Sequence, residues 1–261
     1  MTYLEAILLG LVQGLTEFLP VSSSGHLVLT QALLGIAEQG VLFEIVVHVG
    51  TLLSVLIYFR HRLFALTRSL WTPSMVDDRR MIGLLIVATL PAVIAALTMG
   101  DQFKAVYDLP AITALLLCVT GLLLLLPKLL GLGGDRPVAL LSALIMGVGQ
   151  ALAILPGISR SGATITAGLL AKVNPAKAAE FSFLMSIPAI AGGAVFEFKT
   201  LMEIGADADR VGPLLVAAVI AFLSGLAAIY TVLAAIRRGR FAWFSLYLFA
   251  AGISGYFYFS A

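Results

Sequence analysis

The sequence is poor in charged residues. Only 11% of its 261 residues are Asp, Glu, Lys or Arg, whereas 61% are hydrophobic; a soluble domain has about 25% charged and 45–50% apolar residues. This composition excludes water as the solvent for most of the surface and indicates an integral membrane protein that contacts lipids. The formal net charge of +2 is too small to indicate a nucleic-acid partner.

The sequence also has only one cysteine and no basic region in its first residues. The single Cys118 excludes an intramolecular disulfide. The first 19 residues lack a basic n-region and contain Glu5, Gln13 and Glu17, so we expect no cleaved secretory peptide.

Long apolar segments, by contrast, are frequent. A helix needs about 20 apolar residues to cross a bilayer. Six segments meet this requirement, and we expect them to be transmembrane helices: 41–59, 81–99, 111–126, 181–198, 213–236 and 242–260.

Four shorter apolar segments form two pairs, 4–19 with 27–36 and 138–155 with 163–171. Pro, Ser and Gly interrupt each pair, and its members are short for full crossings. A broken pair that enters and leaves by one face is a re-entrant hairpin, whose tip requires protein or water around its backbone. We therefore predict an all-α integral membrane fold with six spans and two re-entrant hairpins.

The basic residues favour a topology with both termini outside, because Lys and Arg accumulate in cytoplasmic loops. In that topology Lys104, Lys199 and Arg210 lie outside, and Arg160 lies in the second break. Four ordinary crossings in place of two hairpins give the same sides for the other loops, so the hairpins are inferred from shortness and breaks alone. The cytoplasmic loops hold twelve of the sixteen basic residues: Arg60, Arg62, Arg68, Arg79, Arg80, Lys128, Arg136, Lys172, Lys177, Arg237, Arg238 and Arg240.

The two broken segments resemble each other, as GLVQGLTEFLPVSSSGHLVL from residue 10 and GVGQALAILPGISRSGATI from residue 147. We predict one domain over 1–261, built of inverted repeats at about 1–130 and 137–261, each with one hairpin and three spans. The alternative is that membrane helices simply use Gly and Ser freely. A shift of 137 residues aligns Gln13 with Gln150, Ser22 with Ser159, Ser24 with Ser161, and Gly25 with Gly162.

Three ionisable residues are expected at membrane depth: Glu17, His26 and Arg160. Each costs at least about 2.5–3.5 kcal/mol near the bilayer centre and so requires a reason. A structural Glu17–Arg160 salt bridge is one reason, and His26 could be a structural hydrogen-bonder as well as a general acid or base. We discount His48 and His61, and for Glu44 and Glu180 we favour a structural role over a catalytic one.

The polar residues around the breaks suggest an anion site. Hydroxyls and small-residue N–H groups at two helix N-termini favour phosphate, and the Arg160 fork suits its oxygens. A serine beside an acid could attack phosphorus, while Glu17 could instead hold a divalent cation. The expected phosphate ligands are Ser22, Ser24, Gly25, Ser159, Ser161, Gly162 and Thr164, beside Ser23.

Two motifs resemble those of the undecaprenyl-diphosphate phosphatase family: QGLTEFLPVSSSGH, from Gln13, and PGISRSGAT, from Pro156. The resemblance covers essentially the whole chain. The resemblance implies hydrolysis of the C55 polyprenyl diphosphate to the monophosphate carrier of peptidoglycan synthesis, and bacitracin resistance. It also implies a bacterial cytoplasmic (inner) membrane location and a site facing the extracytoplasmic side.

The resemblance further implies Ser23 as nucleophile, supported by Glu17, His26 and Arg160, and a divalent cation, Mg or Ca. Members with Glu at the first position of the first motif have two carboxylates there, whereas Gln13 leaves one. Glu17 therefore receives the metal or base role, and Gln13 only a ligand or orienting role.

Two questions stay open at this point. Inverted repeats around a midplane site are also typical of transporters, so a polyprenyl-phosphate flippase is the alternative function. A membrane scaffold would leave Glu17 and Arg160 in the breaks unexplained. The sequence does not decide whether the chain acts alone or as a homodimer.

The predicted topology can be tested by cysteine labelling in a Cys118→Ala background. Cysteines near Thr2 and Ile36 should both react with a membrane-impermeant reagent from outside, and cysteines near Asp135 and Asn174 only from inside. Opposite sides within either pair would contradict a hairpin.

Overall fold

In a computed structural model, residues 1–36, 40–204 and 208–260 are described, without the side chains of 40–41, 196–204 and 208–210, among them Lys199 and Arg210. No strand occurs in these ranges, and a 3-10 turn, Phe241–Trp243, precedes the last helix. The helices are α1 Tyr3–Phe18, α2 Ser23–Leu34, α3 Gly40–Tyr58, α4 Arg60–Ser69, α5 Val76–Tyr107, α6 Pro110–Leu129, α7 Leu140–Leu152, α8 Arg160–Leu170, α9 Pro175–Ile204, α10 Ala208–Arg237 and α11 Phe244–Ser260.

The expected all-α, multi-pass membrane protein is confirmed. Within the described ranges, four helices are long and apolar enough to cross a membrane: α5, α6, and the parts of α9 and α10 at Pro175–Val195 and Val211–Arg237. The pair α3 and α4, bent by 75°, makes a fifth if taken as one span. Each of the six predicted spans falls on a helix, the last on α11 with the preceding 3-10 turn.

Both predicted breaks are present, and local chemistry explains them. Pro20 disfavours the helical conformation of the residue before it, and Leu19 is extended, with ψ 144°, so α1 ends at Phe18. In the second break Gly157 has φ +96°, which favours glycine. Serine side chains then begin the next helices, Ser22 for α2 and Ser159 for α8.

Packing brings the two breaks together. Helix α1 packs mainly on α10, and α7 packs on α5 and α8. Helix α6 contacts both α2 and α8 and has α11 on another side, while α3 contacts α9. The first helix of each broken pair thus packs against a long helix from the other half of the chain.

The contact between α1 and α10 is a close approach of backbones. A Cβ added at Gly14 would lie 2.4 Å from the carbonyl oxygen and 2.9 Å from the Cα of Ala221. Gly10 meets Ala217 in the same way, at 2.6 Å from its carbonyl oxygen. Small residues one helical turn apart therefore set the distance between these helices.

Gly14→Ala should therefore destabilise the protein, because backbone atoms cannot rotate out of the way. We expect a loss of about 1–3 kcal/mol, typical of overpacking, seen as a lower thermal unfolding midpoint in detergent. Gly83→Ala in α5 is the control, since nothing described lies within 4 Å of its added Cβ. Equal midpoints for the two variants would contradict this account.

Candidate active site

A cavity of about 620 Å³ lies where the two breaks meet. Its polar end is formed by Glu17, the serines at the start of α2, Ser159 and Arg160. The structure thus brings together residues that are about 140 positions apart in the chain, as the motif analysis predicted.

Glu17 is the centre of this polar end and is 8% exposed. Its Oε1 accepts a hydrogen bond from Arg160 Nη2 at 2.5 Å, and its Oε2 accepts one from Ser23 Oγ at 2.5 Å. Gln13 Nε2, one turn earlier on α1, donates to the same Oε2 at 3.0 Å. The salt bridge considered from the sequence is therefore present, and its carboxylate also holds the candidate nucleophile.

The three serines at the first break have different partners. Ser22 is buried, and its hydroxyl accepts hydrogen bonds from the backbone N–H of Gly25, at 3.3 Å, and of Gly157, at 3.1 Å. Its φ of +71° costs roughly 1–3 kcal/mol for a residue other than glycine. Ser24 Oγ lies 3.4 Å from Ser22 Oγ, so Ser23 is the serine directed to Glu17.

The second break repeats this cap and holds the first break in place. Ser159 Oγ accepts a hydrogen bond from Gly162 N at 3.1 Å. Ser161 Oγ donates to the carbonyl oxygen of Leu19, across the two breaks, at 3.2 Å. Thr164 Oγ1 lies 2.8 Å from Arg160 O and 2.6 Å from Ser182 Oγ, inside the protein.

Gly157 occupies a space with no room for a side chain. An added Cβ would lie 2.5 Å from Thr113 O and 2.6 Å from Leu116 Cβ, both on α6. Thr120, also on α6, donates to Gly157 O at 2.7 Å and accepts from Ser159 N at 3.0 Å. Helix α6 therefore fixes the second break by contacts with the backbone of that break.

His26 is placed away from the cavity wall. Its Nδ1 lies 2.8 Å from the carbonyl oxygen of Ser22, and its Nε2 lies 2.7 Å from the hydroxyl of Tyr247 on α11. The two rings stack, with centroids 5.5 Å apart. Because a carbonyl can only accept, Nδ1 carries the proton in the neutral ring, and Nε2 accepts from Tyr247.

Sequence reasoning missed several residues of the cavity wall. Glu44 and His48 from α3 line it, and His48 Nε2 lies 3.9 Å from Glu17 Oε2. Tyr107 and Gln150 line it as well. The spacing of four between Glu44 and His48 places them on one helical face and was an available signal, whereas nothing near Tyr107 in the sequence indicated its position.

The rest of the cavity wall is apolar. It is formed by residues of the second break and by the middle of α5 and of α9, which contain the internal prolines Pro91 and Pro188. A polar end joined to an apolar wall suits a molecule with an anionic head and a hydrocarbon tail. The apolar lining residues include Ala92, Val93, Ala96, Leu97, Ile154, Ile158, Ala189 and Ile190.

The donor set for a cation is sparse. Among the described residues no group of three or more His, Cys, Asp or Glu side chains could hold a metal ion. Gln13 Oε1, however, is buried without a hydrogen-bond partner beside the Glu17 carboxylate. One carboxylate and one amide oxygen fit Mg²⁺, which usually takes one or two protein carboxylates and completes its shell with water and substrate phosphates.

The Glu17–Arg160 pair can be tested by a double-mutant cycle. Glu17→Gln and Arg160→Met should each cost about 2–3 kcal/mol, because each leaves a charge without its partner. The double variant should lose less than the sum in thermal unfolding experiments. Additive losses would show that the two side chains stabilise the protein independently.

Comparison with known proteins agrees with these motifs. The family profile described as bacitracin resistance protein BacA matches residues 6–254. A protein of Syntrophotalea carbinolica named undecaprenyl-diphosphatase is 45% identical over 97% of each chain. Proteins of the same name from Salinibacter ruber, 42% identical over 97% of each chain, and Carboxydothermus hydrogenoformans, 40% identical over 97% of this chain and 96% of the relative, also match. The chain belongs to the bacitracin resistance protein BacA family.

Proposed function

We propose that this protein is an integral membrane hydrolase that converts undecaprenyl diphosphate to undecaprenyl phosphate and inorganic phosphate. The observation that carries the proposal is the Ser23–Glu17–Arg160 chain of contacts at the polar end of a partly apolar cavity. Relatives named undecaprenyl-diphosphatase support the substrate. The family description supports a role in bacitracin resistance through recycling of the lipid carrier for the cell wall.

Ser23 is the nucleophile in this proposal. Its Oγ bonds to the terminal phosphorus while its proton passes to Glu17 Oε2, which already accepts that O–H. The bond between the terminal phosphorus and the bridging oxygen breaks, and the polyprenyl monophosphate leaves with that electron pair. Water then attacks the phosphoserine, which releases inorganic phosphate and restores the Ser23 hydroxyl.

Arg160 stabilises charge on the phosphoryl oxygens during both steps. It begins α8, and its Nη1 has no hydrogen-bond partner among the described residues, while Nη2 holds Glu17. The N-termini of α2 and α8, whose residues Ser22, Ser24 and Ser159 line the cavity, favour an anion. The N–H groups of Gly25 and Gly162 already donate to Ser22 and Ser159, and Ser161 and Thr164 bond inside the protein.

His26 contributes by positioning rather than by contact with the substrate. Its Nδ1 donates a hydrogen bond to the carbonyl oxygen of Ser22, and its Nε2 accepts one from the hydroxyl of Tyr247. These contacts fix the residue that caps α2, and so fix the direction of the neighbouring Ser23 hydroxyl.

A divalent cation, Mg²⁺ or Ca²⁺, is held in this proposal by Glu17 and Gln13 Oε1 together with oxygens of the diphosphate. When bound, it offsets the repulsion between the Glu17 carboxylate and the anionic substrate. Gln13 supplies an uncharged ligand, so the binding of the cation depends on substrate oxygens more than it would with two carboxylates.

The topology proposed for this activity has six spans and two re-entrant hairpins in two inverted repeats, with the cavity opening to the outer face of the bacterial inner membrane. The matched N-caps, Ser22 with Gly25 and Ser159 with Gly162, support equivalent breaks. The exchange of packing partners, α1 on α10 and α7 on α5, supports an internal two-fold relation.

Ser23→Ala should reduce phosphate release from C55 diphosphate by orders of magnitude, since the attacking oxygen is removed. Ser24→Ala, whose hydroxyl does not contact Glu17 in the described contacts, is the matched control and should lose less. The assay uses protein in detergent, where transport is impossible, so turnover also separates a phosphatase from a flippase. Full activity of Ser23→Ala would exclude Ser23 as the nucleophile.

Removal of divalent ions by a chelator should abolish phosphate release by the wild-type protein, and readdition of Mg²⁺ or Ca²⁺ should restore it.

A further inference from the structure

Gln150, the last but two residue of α7, has a buried polar side chain on the wall of the cavity. It is 3% exposed, and among the described residues neither its Nε2 nor its Oε1 has a hydrogen-bond partner. A buried amide is costly unless its two donors and its acceptor are satisfied. Gln150 also lines the cavity, as do Arg160 and Ser159.

The corresponding residue of the first repeat shows what Gln150 lacks. Gln13 is also on the helix before a break, and its Nε2 donates to Glu17, four residues later. The residue four positions after Gln150 is the apolar Ile154. The amide of Gln150 therefore has no acid on its own helix to bind, although it occupies the equivalent place.

Arg160, which lines the same cavity, also has a nitrogen without a hydrogen-bond partner among the described residues. Its Nη2 is bound by Glu17, but its Nη1 is buried without a partner within the described part of the chain. An unpartnered guanidinium N–H and an unpartnered amide thus line one cavity. Both are donors that suit a phosphate oxygen, and neither is needed for a contact within the described protein.

We propose that Gln150 is a substrate-binding residue, whose Nε2 donates to a phosphate oxygen of the lipid diphosphate beside Arg160 Nη1. This inference rests on the proposed function. Because no described protein group bonds to the amide, its NH₂ is left to donate to the anion. The amide adds a directional donor without further positive charge, so it strengthens substrate binding more than it stabilises the charge that develops at the reacting phosphorus.

Gln150→Met tests this role, because methionine has a similar length and no hydrogen-bonding donor. The apparent KM for C55 diphosphate should rise by about 10- to 100-fold, the loss expected for one hydrogen bond to a charged group, with kcat within about threefold of wild type. The unfolding midpoint without substrate should stay equal or rise, since an unpaired buried amide is removed. The control is Ser245→Ala, at a buried serine whose hydroxyl donates to Ala242 O in the preceding 3-10 turn, and it should leave KM unchanged.

A second variant and a binding measurement keep the outcomes distinct. Gln150→Glu, of the same size but anionic, should raise KM at least as much as the methionine variant. A non-hydrolysable farnesyl methylenediphosphonate should raise the unfolding midpoint of wild type more than that of Gln150→Met. An unchanged KM, or equal shifts of the midpoint by the analogue in wild type and Gln150→Met, would overturn the binding role. Wild-type protein that binds the analogue but releases no phosphate from C55 diphosphate would instead defeat the proposed function and leave the binding result valid.

Discussion

The ion pair between Glu17 and Arg160 is the interaction on which the site depends. It joins the end of α1 to the start of α8, two elements of opposite halves of the chain. Each charge would be expensive alone in this environment, so the two halves must meet for either to be tolerated. Ser23 and Gln13 complete the carboxylate's hydrogen bonds. Folding thus brings the Ser23 hydroxyl, the Glu17 carboxylate and the Arg160 guanidinium together in one step.

The two broken segments are alike in backbone and different in side chains. Their caps are equivalent, since Ser22 and Ser159 each accept from the glycine three residues later. The same shift of 137 places Ser23 opposite Arg160 and Glu17 opposite Ile154. The first segment therefore carries Glu17 and Ser23, while the second carries Arg160. Packing between the two halves of the chain brings these unlike groups to the same point, which two identical segments would not achieve.

The sequence predicted the elements whose causes are local or periodic. Six long apolar segments, two breaks at Pro, Ser and Gly, and the meeting of Glu17 with Arg160 all follow from length, turn chemistry and the cost of buried charge. The orientation of single side chains was less accessible. His26 was expected in the catalytic group, but its ring lies between Ser22 and Tyr247, a contact across 221 positions that no local pattern encodes. Tyr107 reaches the cavity for the same kind of reason, because the packing of α5 places it there.

The glycine contacts between α1 and α10 also affect how the family can vary. Glu17 lies three residues after Gly14 on α1, and that helix packs closely against the backbone of α10 at Ala217 and Ala221. Side chains elsewhere on α10 can be exchanged, and lipids around the bundle can differ in thickness or fluidity, without moving the carboxylate. The position of the acid is therefore insulated from both mutational drift and the changing composition of the membrane.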